Sequence, residues 1–248
     1  MPRKKAIRED DFGTVKTNKD YKDEINGVLQ RKINLTAKNE SQGRLINSLR
    51  KNQITICSGH AGMGKTYVAL AFALGMLKAQ TNKFNKLYLI KSVTTLKGEE
   101  IGFLKGDLEQ KFEPFMWSFI LNMEKLVSDT SIKELFNKDI VRPYPLAYAR
   151  GATLDDCIVI CDEMQNITLD NARTLMTRIG FNCKMILLGD GNQIDLKNKD
   201  ESSLNKLIEM FSDVDDFGCV KMDENDINVR NPIINVIEKK FKGYEKKK

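Results

Sequence analysis

The stretch Gln-Ile-Thr-Ile-Cys-Ser-Gly-His-Ala-Gly-Met-Gly-Lys-Thr, residues 53–66, decides the fold of this chain. Its first part, residues 54–58, is mostly apolar and β-branched, which predicts a short buried strand. Gly59, Gly64, Lys65 and Thr66 then fit the phosphate-loop pattern G-x-x-x-x-G-K-[ST], and residues 67–78 predict a helix. This strand–loop–helix order is the context that the motif requires. It favours a nucleotide site over an accidental glycine-rich turn.

Each part of this loop has an expected chemical role. Backbone N–H groups at the start of a helix attract anions, so the loop is expected to hold phosphates. Lys65 would reach the β- and γ-phosphates, and the Thr66 hydroxyl would take a position on Mg²⁺. The loop residues that we expect to bind the nucleotide are Gly59, His60, Ala61, Gly62, Met63, Gly64, Lys65 and Thr66.

A second motif, Cys-Ile-Val-Ile-Cys-Asp-Glu-Met-Gln-Asn, covers residues 157–166. Its continuous apolar run predicts a strand that is covered on both faces of a parallel sheet. The run ends in two adjacent carboxylates, at the strand end where α/β proteins bind ligands. Asp162 is expected to hold Mg²⁺ with Thr66, and Glu163 to orient and deprotonate an attacking water. A helix cap is the alternative role for such acids.

A third strand is predicted over residues 184–188, and Gly-Asp-Gly-Asn-Gln follows it at 189–193. Alone, this is an ordinary turn sequence. Behind the other two motifs, Asp190 and Gln193 are expected to sense the γ-phosphate and the attacking water. A predicted helix over 169–179 lies between the second and third strands and gives the βαβ order of a parallel sheet. The expected class is α/β, with a mostly parallel sheet and helices on both faces.

The 248 residues carry a net charge of +6 and divide into three expected segments. These are a charged arm over residues 1–30, which is either mobile or orders only against a partner, a core over 31–238 and a basic tail over 239–248. The tail, with Phe241 and Tyr244, either follows a nucleic-acid backbone or only solubilises the chain end. No apolar run has the roughly 18 residues of a membrane span, and the N-terminus lacks a secretory signal, so a cytoplasmic protein without membrane contact is expected.

Two further residues have open roles. Gln42 opens a predicted helix just before the phosphate loop, where its amide either meets an adenine edge or is solvated. A second predicted helix over 107–127 carries a wide apolar stripe, which is typical of a core or a subunit interface. The stripe consists of Phe112, Phe115, Met116, Phe119, Ile120 and Met123. Trp117 flanks that stripe and either stacks on a base or packs at an interface.

Taken together, these segments resemble the PhoH family of phosphate-loop ATPases, in particular short phage-type members with one core, related to superfamily 1 helicases. The similarity covers roughly residues 36–240 and includes the segments 98–107, 145–154, 162–166, 177–180, 189–196 and 226–232. The resemblance implies a RecA-like core that uses ATP and Mg²⁺. It also implies action on single-stranded RNA or DNA, with RNA favoured, a ring-like homo-oligomer such as a hexamer, and an adenine contact at Gln42.

Two arginines that match family positions, Arg178 and Arg230, are candidates for stabilising the transition state. An arginine at the transferring phosphoryl group can raise the rate by about 10³–10⁵. Helicases with two cores supply it from the second core, but this chain has one. Each arginine therefore either folds back over its own site or reaches a neighbouring subunit. Our hypothesis is that Arg230 acts in trans, and a surface salt bridge is its alternative role.

Three functions compete at this point. The favoured one is an ATPase that binds or remodels single-stranded nucleic acid, as a helicase does. A non-catalytic ATP-gated switch or scaffold is the second. A small-molecule kinase is the third, and it would not need a water-activating acid such as Glu163.

Overall fold

The structure is a computed structural model that describes residues 16–81, 83–92, 108–223, 226 and 228–245. The side chains of residues 108–115, 242 and 245 are outside this description. Several predictions concern residues beyond it: the first half of the charged arm, the 98–107 segment and two phenylalanines of the apolar stripe, Phe112 and Phe115.

A six-stranded sheet forms the centre of the described chain, and all its neighbouring strands are parallel. The strands are β1 (Ile54–Ser58), β2 (Lys86–Lys91), β3 (Val141–Pro143), β4 (Cys157–Asp162), β5 (Lys184–Gly189) and β6 (Phe217–Lys221). Their order across the sheet is β3-β2-β4-β5-β1-β6. Consequently β5 lies between the strand that leads into the phosphate loop and the strand that ends in the paired acids.

Helices cover both faces of this sheet. They are α1 (Asn18–Val28), α2 (Glu40–Lys51), α3 (Lys65–Lys78), α4 (Leu108–Met123), α5 (Asp129–Asn137), α6 (Leu169–Met176), α7 (Leu204–Phe211) and α8 (Ile233–Glu245). Alternate residues of β4 enter two separate cores. Ile158 and Ile160 pack in the core that contains side chains of α1 to α5, whereas Cys157 and Val159 pack in the core that contains α6 and α7. The predicted α/β class, with a RecA-like arrangement, is confirmed.

The segments around the motifs closely follow the sequence-based expectations. The strand at 54–58 has the predicted limits. Helix α3 begins at Lys65, two residues earlier than predicted, because Gly64 takes a left-handed conformation and caps it. Helix α6 ends at Met176 rather than at residue 179, because Ile179 forms a β-bridge with Leu154.

The prediction of a mobile arm is wrong for residues 18–29. Thr17 and Asp20 form a capping box that starts α1. On the inner side of this helix, Ile25 and Leu29 are almost completely buried in the core. Lys22 is also buried, and its ammonium donates to the carbonyls of Leu77 and Phe84, both at 2.8 Å. A segment rich in charge thus folds because a few apolar side chains and the stem of one lysine cover the core.

Residue 239, where the basic tail is predicted to begin, lies inside α8. This helix has an exposed face on which Phe241 and Tyr244 are 65% and 64% accessible. In helix α4, Met116 and Phe119 of the predicted stripe are buried, and Trp117 is 53% exposed. Within the described residues, every helix is too short or too polar to cross a membrane.

Candidate active site

The three sequence motifs meet at one edge of the sheet, because β1, β5 and β4 are neighbours and their carboxyl ends point the same way. A cleft of about 500 Å³ opens there. It is lined by Lys38, Gln42, Ala61, Gly62, Gly64, Lys65, Thr66, Tyr67, Ser118, Asn122, Lys125, Asp162, Glu163, Gly189, Asp190, Gln193, Val229 and Arg230.

The phosphate loop has the backbone shape that anion binding needs. Gly62 and Gly64 have φ values of +79° and +82°, which residues with a side chain rarely adopt. Gly64 caps α3 without any side-chain hydrogen bond, so the N–H groups of the first helical turn have no side-chain cap. Because Lys65, Thr66 and Tyr67 of this turn line the cleft, an anion in the cleft would meet the positive end of α3.

The other side chains of the loop have different surroundings. The Lys65 ammonium donates to the carbonyls of Gly59 at 2.6 Å and of His60 at 3.0 Å, which places it over the loop. The His60 ring lies 3.1 Å from the Asn192 amide, outside the cleft lining. Met63 is buried, and its side chain packs in the core.

The predicted metal ligands lie side by side. The Thr66 hydroxyl donates to Asp162 Oδ2 at 2.8 Å, so the start of α3 is joined to the end of β4. Asp162 is 6% exposed, and its other oxygen accepts from the Glu163 N–H at 3.0 Å. A hydroxyl and a carboxylate at the mouth of a phosphate loop are the oxygen ligands that Mg²⁺ takes in this setting. The residues present therefore fit a magnesium ion.

Glu163 sits directly after β4 in a left-handed conformation, with φ +60° and ψ +40°. Few residues other than glycine adopt this conformation, and they concentrate at functional sites. The Glu163 carboxylate lines the cleft and accepts a hydrogen bond of 2.7 Å from the Gln165 amide. The carboxylate that we predict to be the base is thus held in place by a neighbouring side chain.

The turn after β5 is linked to the phosphate loop. Asp190 is 5% exposed, and its carboxylate accepts from the N–H groups of Ala61 at 3.1 Å and Asn192 at 3.0 Å. This carboxylate therefore orders the loop as well as lining the cleft. Gln193 is exposed at the cleft, and its carbonyl accepts from the Gln165 amide at 3.1 Å.

Gln42 is 2% exposed, so the alternative of a solvated residue at a helix start is wrong. Its amide accepts from the Lys38 N–H at 3.0 Å and donates to the Met63 carbonyl at 2.9 Å. These two bonds fix which way the amide faces, while the residue still lines the cleft. The adenine contact stays a prediction.

The two candidate arginines lie at different edges of the sheet. Arg230 lines the cleft of its own chain, which favours action in cis over our hypothesis of action in trans. The Arg178 carbonyl accepts from Leu154, ahead of the first residue of β4, and its side chain donates to Thr177. Arg178 is absent from the residues that line the cleft of the described chain.

Sequence reasoning missed a residue that positions Arg230. Asn228 is 3% exposed; its amide donates to the Ala61 carbonyl at 2.8 Å and accepts from the Arg230 N–H at 3.0 Å. A Cβ at Gly62 would collide with the Asn228 side chain, so the fit is close. The available signal is the segment 226–232, which carries part of the family resemblance.

Helix α4 also supplies polar side chains that sequence reasoning missed. Ser118 and Asn122 line the cleft four residues apart, which places them on one face of α4, and Lys125 lines it from the turn just after the helix. The Ser118 hydroxyl also accepts from the Lys91 ammonium at 2.8 Å. A polar face beside the apolar stripe was the signal in the sequence.

The cysteines beneath the site are packing residues. Burial raises the pKa of Cys57 to about 12, even though the Lys65 charge acts in the opposite direction. Burial also raises the pKa of Cys161, and the nearby Asp162 charge adds to that effect. Both thiols stay protonated at neutral pH, so neither is a thiolate nucleophile.

A parallel sheet with a phosphate loop after one strand and an acidic pair after the strand two positions away defines a phosphate-loop NTPase fold. Within this class, the chain belongs to the PhoH family, because the family model described as PhoH-like protein matches residues 34–242. It is 33% identical over 226 residues to the PhoH-like protein of Bacillus subtilis (strain 168), covering 91% of this chain. It is 34% identical over 209 residues to the PhoH-like protein of Synechocystis, covering 84% of this chain.

A third relative, Protein PhoH of Escherichia coli (strain K12), is 30% identical over 202 residues, which cover 77% of this chain. The matched parts span 68%, 62% and 54% of the Bacillus, Synechocystis and Escherichia relatives, respectively. This chain therefore spans between about half and two thirds of the length of these relatives.

Proposed function

We propose that the chain is a Mg²⁺-dependent ATPase whose turnover is coupled to single-stranded nucleic acid, with RNA favoured over DNA. The observation that carries the ATPase part is the 2.8 Å bond between Thr66 and Asp162. It joins the phosphate loop to the acidic strand end, and the Glu163 carboxylate lines the same cleft. Candidate metal ligands and a candidate base thus lie within one pocket beside a helix N-terminus.

Each group has a defined part in this proposal. The loop amides and Lys65 bind the phosphates. Thr66 and Asp162 would hold Mg²⁺, which would supply positive charge for the phosphates. Glu163 orients the attacking water and accepts its proton. Arg230, at the same cleft, is available to stabilise charge on the transferring phosphoryl group.

The nucleic-acid part depends on the resemblance to superfamily 1 helicases and on the surface. Trp117 and Tyr148 are 53% and 55% exposed, and exposed aromatic rings are suitable for stacking on unpaired bases. The net charge of +6 favours a polyanionic partner. Assembly into a homo-oligomeric ring is part of the same proposal and is supported by the exposed apolar side chains of α8. A cytoplasmic location is also part of the proposal.

The test is steady-state hydrolysis of Mg²⁺-ATP by the full chain, with and without poly(U) or poly(dT). We expect kcat to rise when either polynucleotide is added. We expect added salt to weaken binding of the polynucleotide. The logarithm of the binding constant should fall against the logarithm of the salt concentration with a slope of about −0.7 per phosphate contact. Lys65→Ala should lose ATP binding, whereas Glu163→Gln should bind ATP and lose about 10²–10⁴-fold in kcat.

The outcomes separate the competing functions. If poly(U) and poly(dT) leave the turnover unchanged, only the nucleic-acid part of the proposal is contradicted. ATP binding with no turnover above that of Glu163→Gln would instead identify an ATP-gated switch or scaffold. Phosphate transferred to a small molecule instead of to water would identify a kinase.

A further inference from the structure

Gln165 has no role in the proposal so far, yet its side chain makes three hydrogen bonds beside the cleft. It is fully buried. Its amide nitrogen donates to the Glu163 carboxylate at 2.7 Å and to the Gln193 carbonyl at 3.1 Å. Its amide oxygen accepts from the Asp190 N–H at 2.9 Å. Both amide hydrogens are therefore committed, and one of them goes to the candidate base.

We propose that Gln165 is a positioning residue that fixes the Glu163 carboxylate and ties it to the turn formed by residues 190–193. This inference rests on the proposed function, in which Glu163 takes a proton from water. It assigns Gln165 an effect on turnover but not on nucleotide affinity. It also makes the base and the turn move together, so a group that shifts the turn changes the rate of hydrolysis.

The packing around this amide leaves it little freedom. A Cβ added to Gly189 would lie 2.6 Å from the Gln165 amide oxygen, so the amide occupies the space of a missing side chain. The next residue, Asn166, forms a second link: it accepts from the Asp195 N–H at 2.8 Å and donates to the Asp195 carboxylate at 3.1 Å. The segment after β4 and the turn after β5 are thus joined at two successive residues.

Only a side-chain amide satisfies all three partners. The Glu163 carboxylate and the Gln193 carbonyl require donors, and the Asp190 N–H requires an acceptor. A carboxylate at position 165 would serve Asp190 but would face a second carboxylate at Glu163. A thioether of similar length would fill the space with no strong donor or acceptor. Two substitutions of similar size can therefore distinguish positioning from packing.

The experiment compares Gln165→Met and Gln165→Glu with the unmodified chain, measuring kcat, KM and the affinity for a non-hydrolysable Mg²⁺-ATP analogue. We expect kcat to fall by about 10–100-fold in both variants, because misplacing a catalytic group by about 1 Å costs about that much. We expect KM and analogue affinity to stay within about twofold. The affinity also shows that each variant folds, and Gln165→Glu keeps the acceptor for Asp190 if Gln165→Met does not fold.

A double-mutant comparison tests whether the effect passes through Glu163. In a Glu163→Gln background, Gln165→Met should cause no further loss in single-turnover rate, because residues that act as a unit are non-additive. Gln53→Met is the matched control, since Gln53 makes an amide–carbonyl bond to Cys183 ahead of β1, at the opposite edge of the sheet. That control should leave kcat unchanged.

Failure of this inference differs from failure of the proposed function. If the unmodified chain does not hydrolyse Mg²⁺-ATP, the proposed function is wrong. If it does and Glu163→Gln turns over at the same rate, Glu163 is not the base and Gln165 has no base to position. If Glu163→Gln is inactive but Gln165→Met and Gln165→Glu keep full kcat, only the positioning role is overturned. Equal losses in kcat and in analogue affinity would also overturn it, because they would indicate general damage to the cleft.

Discussion

The two edges of the sheet differ in how deeply their polar side chains are buried. At the carboxyl edge, Asp162, Gln165, Asp190 and Asn228 are all at most 7% exposed and hydrogen-bonded. At the amino edge, the Asp155 and Asp156 carboxylates bond to Phe181 and Asn182 at the surface, and Phe181 is 89% exposed. Burying polar groups costs free energy unless they are paired. Their concentration at one edge therefore supports our proposal that the chemistry takes place at this edge.

Backbone conformation alone does not separate these edges. Glu163 at the carboxyl edge has φ +60°, but Asp156 and Asn182 at the amino edge have φ +48° and +49°. Aspartate and asparagine enter this region more easily than most residues, so the two amino-edge cases need only turn chemistry. Glutamate has no such preference. What distinguishes Glu163 is the combination of this conformation with a buried amide that holds its carboxylate.

The largest expected contrast comes from removing one arginine at each edge. Arg230→Ala should lower kcat by about 10³-fold, because Arg230 lines the cleft where charge develops. Arg178→Ala should change kcat by less than about twofold in a single chain, because Arg178 is outside the cleft lining. The measurement is steady-state ATP hydrolysis at protein concentrations where gel filtration shows a monomer.

Subunit mixing completes this test. At concentrations that favour assembly, Arg178→Ala or Arg230→Ala is mixed with Glu163→Gln. If Arg178→Ala loses hydrolysis at these concentrations and mixing restores it, the contrast between the edges is contradicted, because the amino edge of one chain would then complete the site of another. Restored hydrolysis with the Arg230 variant would return that residue to action in trans.

The motifs predict this contrast only in part. The carboxyl ends of parallel strands meet at one edge, so the phosphate loop, Asp162 and Asp190 could be placed together from the sequence. The strand order could not, because β3 has three residues and no periodicity to reveal it. Asn228 was missed for a related reason: a buried asparagine has no spacing pattern, and its partner Ala61 lies 167 positions away.

Helix α1 is a segment that folds although its composition predicts that it does not. Its residues are rich in charge, and such composition is typical of an arm with too little apolar surface to fold. Ile25, Val28 and Leu29 nevertheless supply enough buried surface, since they pack in the core with α3. Whether a few apolar anchors suffice depends on the groove that receives them, and the helix sequence does not contain that groove.

A smaller effect than that of Arg230→Ala is expected from Asn228→Ala, a second change at the carboxyl edge. This change removes the bond to the Ala61 carbonyl and frees the segment that carries Arg230. We expect KM for ATP to rise and kcat to fall, each by about tenfold, since a lost buried hydrogen bond costs about 1–3 kcal/mol. Asn235→Ala is the control, because Asn235 bonds to Asp226 outside the cleft lining. An unchanged kcat would show that Asn228 does not position Arg230.

The smallest effect on catalysis is expected at the far end of the phosphate-loop helix. Lys22→Met keeps the apolar stem but removes the ammonium that donates to the Leu77 and Phe84 carbonyls. We expect the free energy of unfolding in urea to fall by about 1–3 kcal/mol, because buried carbonyls lose a charged donor. Lys19→Met on the exposed side of α1 should change it by less than about 0.5 kcal/mol. In both variants kcat should be unchanged. A fall in kcat for Lys22→Met at full stability would mean that α3 transmits changes from its C-terminal end to the phosphate loop, and the division between the edges would then fail.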